Sequence, residues 1–276
     1  MSDTGVHDPR ALRAFVQAHP RLFVLTGAGV STGSGIPDYR DARGEWKRPA
    51  PVQYREFVDH PHTRQRYWAR SLVGWPWFAD AKPNTAHRQL VDLEQAGHVH
   101  QLVTQNVDRL HQRAGSRRVI DLHGRLDRVV CLSCGHRSDR APLQERLKLE
   151  NPGFARQVAE IGPDGDAYLE GVDFSAFLVP DCDACGGLLK PDVVFFGESV
   201  PRERVDQALS ALARADGLLV LGSSLMVYSG FRYCRFAAEN GIPIAAVNLG
   251  RTRADDLLDL KVNLPVDQAL EAVLTG

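Results

Sequence analysis

One short segment near the amino terminus restricts the fold more than any other. Residues 21–26 (RLFVLT) form an apolar, strand-forming run that ends directly in Gly27-Ala28-Gly29. Glycines after a buried strand allow a tight turn and a close approach of the backbone to a pyrophosphate, whose charge then lies at the amino terminus of the next helix. The spacing differs from the dehydrogenase fingerprint, because Thr32 stands where the third glycine is usual. An ordinary strand-to-helix turn is the alternative.

A strand–helix pattern continues along most of the chain. Apolar runs typical of buried parallel strands lie at 99–104, 119–122, 193–196, 218–221 and 244–248. Amphipathic stretches at about 84–97, 202–215 and 229–240 follow a first helix that is N-capped at Asp8-Pro9. This alternation predicts a doubly wound parallel α/β sheet of the Rossmann type, made of residues 1–40, 81–128 and 191–276. Two insertions, a helical one at 41–80 and a second at 129–190, are expected to build a smaller lobe.

Four of the five cysteines form two Cys-x-x-Cys pairs, Cys131 with Cys134 and Cys182 with Cys185. Four thiolates in this spacing suit a tetrahedral Zn²⁺, and a four-cysteine site leaves no open coordination position. The alternative is two pairs of buried or redox-active cysteines. We therefore predict one structural zinc ion in the module at 129–190, and we assign Cys234, in an apolar helical stretch, to the core.

Composition limits the partners and the compartment. The 33 Lys and Arg residues nearly balance the 34 Asp and Glu residues, so the net charge of −1 gives no reason to expect a nucleic acid partner. No apolar run reaches the roughly 18 residues of a membrane span. The amino terminus lacks the apolar core of a signal peptide, and unpaired cysteines suit a reducing compartment, so we expect a cytoplasmic protein.

The glycine turn continues into Ser34-Gly35-Ile36-Pro37-Asp38-Tyr39-Arg40, and GAGVSTGSGIPDYR resembles the NAD-binding signature of the sirtuins, GAGxSxxSGIPDFR. Tyr39 for Phe and Asp41 for the common Ser are the departures. Further segments resemble the family in the same order: TQNVD at 104–108, His123-Gly124, VFFGE at 194–198, GSSL at 222–225 and NLG at 248–250. The resemblance implies a Rossmann-type NAD domain, a zinc-bearing lobe and NAD-dependent protein-lysine deacylase activity.

The resemblance also implies roles for individual residues. His123 matches the general base, and Asn106 and Asp108 match the residues that order the ribose pocket and hold the nicotinamide carboxamide. NAD contacts are implied for Gly27, Ala28, Gly29, Ser31, Ile36, Pro37, Asp38, Tyr39, Arg40, Gln105, Asn106, Val107, Asp108, Gly222, Ser223, Ser224, Asn248, Leu249, Gly250 and Val266. An acyl-lysine peptide is expected to add as a strand, with contacts to Val194, Phe196, Gly197, Glu198, Leu225 and Val227.

His123 can also be interpreted without the family. It is one of ten histidines, and a lone histidine is more often structural than catalytic. An imidazole titrates near neutral pH, however, and activation of a ribose hydroxyl requires a base of that kind. In the reaction that the resemblance implies, the acyl oxygen attacks C1′ of the nicotinamide ribose and nicotinamide leaves. His123 then activates a ribose hydroxyl, and deacylated lysine and O-acyl-ADP-ribose result.

Finer resemblance favours class II sirtuins, the group with a mitochondrial animal member, and is carried by QRYWAR, VGWP, GPDGD and LKPDVVFFGE. Class II members are poor deacetylases on many substrates and are linked to longer acyl groups, lipoyl-lysine and ADP-ribosylation.

Residues 64–78 predict an aromatic-rich helix in which Tyr67 and Arg70 share one face. They match the Tyr-x-x-Arg pair of class III sirtuins, which favours substrates with an acidic or polar acyl end. A packed aromatic and an Arg paired with an acidic neighbour is the alternative.

Three kinds of activity remain open from the sequence. Protein deacylation, with acylated-lysine proteins or peptides as substrates, is the leading hypothesis. Mono-ADP-ribosyl transfer to protein would use the same NAD site. The third possibility is a different kind of protein, either a non-enzymatic zinc-and-nucleotide sensor or a hydride-transferring dehydrogenase.

Overall fold

The computed structural model describes residues 9–48 and 51–275, so the N-cap predicted at Asp8 lies outside the described residues. The helices are α1 (Pro9–Ala18), α2 (Tyr54–Asp59), α3 (Pro61–Asp80), α4 (Thr85–Gln95), α5 (Leu110–Ala114), α6 (Arg140–Glu150), α7 (Arg202–Leu212), α8 (Tyr228–Glu239) and α9 (Val266–Leu274). The strands are β1 (Leu22–Thr26), β2 (Val99–Thr104), β3 (Val119–Asp121), β4 (Gly124–Cys131), β5 (Arg137–Asp139), β6 (Leu189–Val193), β7 (Gly217–Leu221), β8 (Ile244–Val247) and β9 (Leu260–Val262).

Six strands form a parallel sheet in the order β3-β2-β1-β7-β8-β9. The chain order reverses between β1 and β7, and the carboxyl ends of strands at such a switch point are where α/β proteins bind ligands. Both faces of β1 are buried: Leu22 and Val24 pack on one side, Phe23 and Leu25 on the other. The predicted doubly wound α/β fold is confirmed.

A second sheet of three antiparallel strands, in the order β5-β4-β6, belongs to the smaller lobe. The parallel strand predicted at 193–196 is therefore wrong, because β6 covers Leu189–Val193 and pairs with β4 in this sheet. That run is apolar because Val193 packs against Leu126 and Phe78, and burial alone does not reveal which sheet buries a strand. The parallel sheet instead gains β9, a three-residue strand that the sequence did not indicate.

The glycine turn after β1 also differs from the expected geometry. Two short 3₁₀ helices, Ala28–Val30 and Thr32–Ser34, follow it instead of an α-helix. Gly35 ends them with φ at 86°, a left-handed conformation that favours glycine. A phosphate bound here would therefore meet backbone N–H groups of short turns and not the amino terminus of a long α-helix.

The smaller lobe packs α2 and α3 against the second sheet, with Trp68 fully buried at its centre. The predicted helix at 64–78 lies within α3. The predicted domain boundaries at 128/129 and 190/191 fall inside β4 and β6. Among the described residues, no helix combines the length and apolarity that crossing a bilayer requires.

Candidate active site

A cavity of about 690 Å³ lies beside the carboxyl ends of β1, β2 and β7 and is also lined by the smaller lobe. We call its two walls the sheet side, formed by the residues that follow β1, β2 and β7, and the lobe side, formed by Tyr67, Phe78, Leu126, Asp164 and Asp166. Most residues with an implied role line this cavity: Gly27, Ala28, Gly29, Ser31, Ile36, Asp38, Tyr39, Arg40, Tyr67, Gln105, Asn106, Val107, Asp108, His123, Val194, Phe196, Gly197, Glu198, Gly222, Ser223, Ser224, Leu225, Val227, Asn248 and Leu249.

Four residues with an implied role are not among those that line the cavity, namely Pro37, Arg70, Gly250 and Val266. Gly250 lies against another loop, since a Cβ there would be 2.2 Å from the carbonyl oxygen of Ala42. Val266 begins α9 and is buried in the core under the parallel sheet.

Two glycine turns meet at the switch point. The Gly29 N–H donates to the Gly222 carbonyl over 2.8 Å, and a Cβ on Gly29 would lie 2.9 Å from the Gly222 Cα. Gly222 has φ at 59°, and a Cβ there would lie 2.6 Å from the Val30 nitrogen. The turns after β1 and β7 therefore touch backbone to backbone, which only glycine allows, and their outer surfaces face the cavity.

The sheet side holds a closed network of hydrogen bonds. Ser31 Oγ donates to Asp108 Oδ2 over 2.7 Å, and the Leu110 N–H donates to Oδ1 over 2.8 Å. Asn106 Nδ2 lies 3.0 Å from the Gly27 carbonyl and 3.1 Å from Ser31 Oγ. Burial raises the pKa of Asp108, and the hydrogen bonds from Ser31 and Leu110 oppose that rise. The carboxyl group is thus fixed at the cavity wall, where it can accept from an amide.

His123 has a defined tautomer. Its Nδ1 lies 2.9 Å from the Gln105 carbonyl oxygen, which only accepts, so Nδ1 carries the proton and Nε2 keeps its lone pair. Ser229 Oγ, 2.8 Å from Nε2, is therefore the donor in the second hydrogen bond. Burial, with smaller contributions from Arg204 and Arg232, lowers the pKa of His123 to about 4, although the Gln105 hydrogen bond opposes this. The imidazole is neutral at pH 7 and ready to accept a proton.

Arg40 is held over an aromatic wall. Its Nη1 donates to the Gly44 carbonyl over 2.8 Å, and its Cζ lies 3.9 Å from the centre of the Trp46 ring. Tyr39 contacts the edge of Trp46 and of Phe196, with ring centres 6.1 and 6.3 Å apart. The planar guanidinium is thereby oriented at the cavity, where it can bind a phosphate through two hydrogen bonds.

The lobe side is different in character, because it buries acidic groups beside apolar ones. Asp166 is 1% exposed, and among the described residues neither of its carboxyl oxygens has a hydrogen-bond partner. Burial, and then the neighbouring Asp164, raise its pKa well above the usual range. Asp164 Oδ1 accepts from the Asp166 N–H over 3.2 Å. The glycines and aspartates of residues 162–166 (GPDGD) favour a turn, but the sequence carries no signal that this turn reaches the cavity.

Tyr67 and Arg70 separate in the structure. Tyr67 is buried and lines the cavity. Arg70 Nε donates to the Ala167 carbonyl over 2.8 Å, and its Cζ lies 5.6 Å from the centre of the Tyr168 ring. Burial raises the pKa of Asp164, and the charge of Arg70 opposes that rise. The Arg70 guanidinium thus lies against the segment that carries Asp164 and Asp166. This position agrees with the alternative interpretation, in which Arg70 has an acidic neighbour.

The four cysteines converge into one cluster whose sulfur atoms all lie within 4.8 Å of one another. Cys131 Sγ is 3.5 Å from Cys185 Sγ, and Cys134 Sγ is 3.9 Å from Cys182 Sγ. These separations bracket the roughly 3.8 Å that tetrahedral Zn–S bonds of about 2.3 Å impose. Backbone N–H groups, chiefly that of Cys134, lower the pKa of Cys131 to about 6, which favours the thiolate that binds metal. The donors fit one zinc ion. Cys234 is fully buried, as predicted.

Two glycine turns that meet at a switch point beside a neutral buried imidazole are typical of an enzyme that uses a dinucleotide, and the separate four-thiol cluster can hold a structural metal ion. Residues 27–229 match the sequence model of the Sir2 family. The chain belongs to this family, and the predicted family membership is confirmed.

Individual relatives support the same assignment. The chain is 59% identical over 273 residues to an NAD-dependent protein deacetylase of Bordetella bronchiseptica, covering 99% of this chain and 100% of the relative. It is 48% identical over 257 residues to the mitochondrial NAD-dependent protein lipoamidase sirtuin-4 of Bos taurus, covering 92% and 82% of the two chains. A solved structure of Sir2 with a p53 peptide and NAD⁺ has a TM-score of 0.77 at 33% identity, covering 97% of each chain.

Proposed function

We propose that this chain is an NAD-dependent protein-lysine deacylase, which transfers the acyl group to ADP-ribose and releases nicotinamide. The observation that carries the proposal is the neutral His123, which has no proton on Nε2 and lines the cavity together with Asn106, Asp108 and both glycine turns. Relatives that cover nearly the whole chain are named NAD-dependent protein deacetylases, which supports the same reaction.

Residues of the sheet side would bind NAD. The N–H group of Ala28 and the guanidinium of Arg40 would hold the pyrophosphate, and Asp108 would accept from the nicotinamide carboxamide. The adenosine half would lie along further residues that line the cavity, namely Ser223 after β7 and Asn248 and Leu249 after β8. Bound NAD supplies an electrophilic C1′ and ribose hydroxyls.

The acyl-lysine peptide would pair with main chain at 197–198 and 225–227 and direct its acyl chain between the two sides. His123 would then accept the proton of a ribose hydroxyl as that oxygen attacks the acyl carbon. Desolvation lowers the pKa of this histidine to about 4, so the imidazole is neutral at pH 7 and can accept the proton.

One zinc ion held by Cys131, Cys134, Cys182 and Cys185 would tie the ends of β4 and β6 together and take no part in the reaction. Cysteines used as metal ligands suit a reducing compartment, which supports a cytoplasmic location.

The experiment that tests this function is incubation of the purified chain with NAD and matched acetyl, succinyl, glutaryl and lipoyl lysine peptides. A lipoyl substrate belongs in the panel because a relative at 48% identity is named a lipoamidase. O-acyl-ADP-ribose and free nicotinamide are the expected products. ADP-ribosylated protein without deacylation, formation of NADH, or no turnover on any peptide would each overturn the proposal.

His123→Tyr is the matching variant. We expect acyl-ADP-ribose formation to fall by roughly 10²–10⁴-fold, which is the usual cost of losing a general base. NAD affinity, measured by calorimetry, should stay within a few-fold, since the sheet-side network does not include the imidazole. Substantial turnover by this variant would remove His123 from the role of base.

A further inference from the structure

The lone pair of the proposed base is already occupied in the free chain. Ser229 Oγ lies 2.8 Å from His123 Nε2 and donates to it, because Nδ1 holds the only imidazole proton. An imidazole nitrogen has a single lone pair in the ring plane, so it accepts from one donor at a time. A ribose hydroxyl therefore reaches this base only by displacing Ser229 or by acting through it.

The fold holds Ser229 in place from two directions. Ser229 is the second residue of α8, so its backbone is set by the first turn of that helix. Gly230 packs on the side chain of Gln105, since a Cβ on Gly230 would lie 2.4 Å from Gln105 Nε2. Gln105 in turn accepts from Ser223 Oγ over 2.7 Å and holds His123 through its carbonyl. Gln105 thus fixes both the imidazole of His123 and the start of α8, the helix that carries the Ser229 hydroxyl.

The chemistry of a hydroxyl suits a group between base and substrate. Ser229 Oγ has one proton, which it gives to His123, and two lone pairs, which remain available to accept. Its side chain is 9% exposed and lines the cavity together with His123, so a hydroxyl of a bound ribose can approach it.

We propose that Ser229 is a catalytic residue that relays the proton from the ribose hydroxyl to His123. The ribose O–H bond breaks as its proton passes to Ser229 Oγ, and the Ser229 O–H bond breaks as that proton passes to Nε2. Ser229 ends neutral and His123 ends as imidazolium. The electron pair left on the ribose oxygen forms the bond to the acyl carbon, while the carbon–nitrogen π bond at that carbon breaks and its electron pair moves onto the lysine nitrogen. This inference rests on the proposed function, in which His123 is the base.

The test compares Ser229→Ala with Ser229→Thr, which keeps the hydroxyl. Two rates are measured with NAD and an acyl peptide: exchange of labelled nicotinamide into NAD, which precedes the need for a base, and formation of acyl-ADP-ribose, which follows it. In Ser229→Ala we expect exchange and the KM for NAD to stay within about 3-fold. The kcat for acyl-ADP-ribose should fall by roughly 10²-fold, at the lower end of the usual effect of proton-transfer groups. Ser229→Thr should recover most of the rate.

A measurement on the ligand-free chain accompanies the kinetics. The ¹⁵N chemical shift of His123 Nε2 should move in Ser229→Ala and return toward the wild-type value in Ser229→Thr, while Nδ1 stays protonated in both. Ser210→Ala, at an exposed position of α7, is the control that should leave the shift and the rates unchanged.

Three outcomes would overturn the relay. The first is acyl-ADP-ribose formation by Ser229→Ala within 3-fold of wild type, which means direct transfer to His123. The second is an equal fall in exchange and product formation, which means a structural role. The third is an unchanged Nε2 shift in Ser229→Ala. Failure of the proposed function itself is distinguished by His123→Tyr, since turnover by that variant would remove the base whatever Ser229 does.

Discussion

On the sheet side of the cavity, the Asp108 carboxyl accepts from Ser31 and from the Leu110 N–H, whereas on the lobe side the Asp166 carboxyl has no partner among the described residues. Both groups are buried, at 7% and 1% exposure. Buried polar groups are normally paired, and each unpaired one costs roughly 1–3 kcal/mol. The sheet side is therefore preorganised without its ligand, and the lobe side carries an unfavourable contribution that the rest of the fold offsets.

The two sides also respond to pH in opposite directions. Burial lowers the pKa of His123, which follows β3 of the parallel sheet and lines the cavity, to about 4. Acidification therefore protonates the unfolded chain first, and stability falls as pH drops below about 6.5. Burial raises the pKa of Asp164 and of Asp166, so the unfolded chain loses these protons first and stability falls as pH rises above about 4. Acid thus opposes the folding of the sheet side, and base that of the lobe side.

Removal of the metal should give the largest difference in stability between the smaller lobe and the parallel sheet. Cys131→Ala, or a strong chelator, is expected to unfold the smaller lobe, because structural zinc contributes several kcal/mol of folding free energy. Hydrogen exchange should show lost protection in β4 and β6 and retained protection in β1. Metal analysis that finds no zinc, with a melting curve insensitive to chelator, would contradict the prediction.

Gly74→Ala should damage the lobe side alone. A Cβ at position 74 would lie 2.1 Å from the Gly165 carbonyl oxygen, so α3 and the 162–166 turn must move apart. We expect a loss of up to about 3 kcal/mol in the free energy of unfolding, as for other overpacked sites. The kcat/KM for acyl peptides should fall while the KM for NAD holds. Gly153→Ala is the control, since a Cβ there meets open space, and equal losses in both variants would refute the argument.

Asp166→Asn should stabilise the chain. The amide has nearly the same shape and cannot ionise, so about 1.4 kcal/mol is recovered at high pH for each unit by which burial raises the pKa of the wild-type carboxyl. Chemical unfolding at pH 5 to 8 should show a gain that grows with pH. A variant that is less stable than wild type at pH 8 would mean that the charged carboxylate has a favourable partner.

The sequence predicted the sheet side better than the lobe side, for physical reasons. Buried parallel strands leave continuous apolar runs, and glycines such as Gly29 and Gly222 stand where backbones touch, so both signals are local. The apolar runs predicted five of the six parallel strands; they missed the short β9 and wrongly included 193–196.

The lobe side depends on contacts between residues that are far apart in sequence. On the lobe side, Asp166 interacts with Tyr67 across about a hundred residues. Ser229 and His123, which lie outside the lobe side, likewise meet across 106 residues. A turn signal such as GPDGD specifies a local bend but not the surface on which it packs. Helical spacing placed Tyr67 and Arg70 on one face, yet the long Arg side chain bends to the Ala167 carbonyl. Tertiary packing decides such contacts.

Arg70→Met should give the smallest effect of these variants. Arg70 holds the segment behind the aspartates through one hydrogen bond, so its loss should cost about 0.5–1.5 kcal/mol, or roughly 2- to 10-fold in kcat/KM. Because that contact acts on the turn and not on the acyl end, we expect equal losses on acetyl, succinyl, glutaryl and lipoyl peptides. Arg66→Met, an exposed cation of the same helix, should leave all four unchanged. A loss confined to succinyl and glutaryl peptides would instead put the Arg70 guanidinium on the substrate carboxylate, as the Tyr-x-x-Arg pattern first indicated, and would require the 162–166 turn to move when substrate binds.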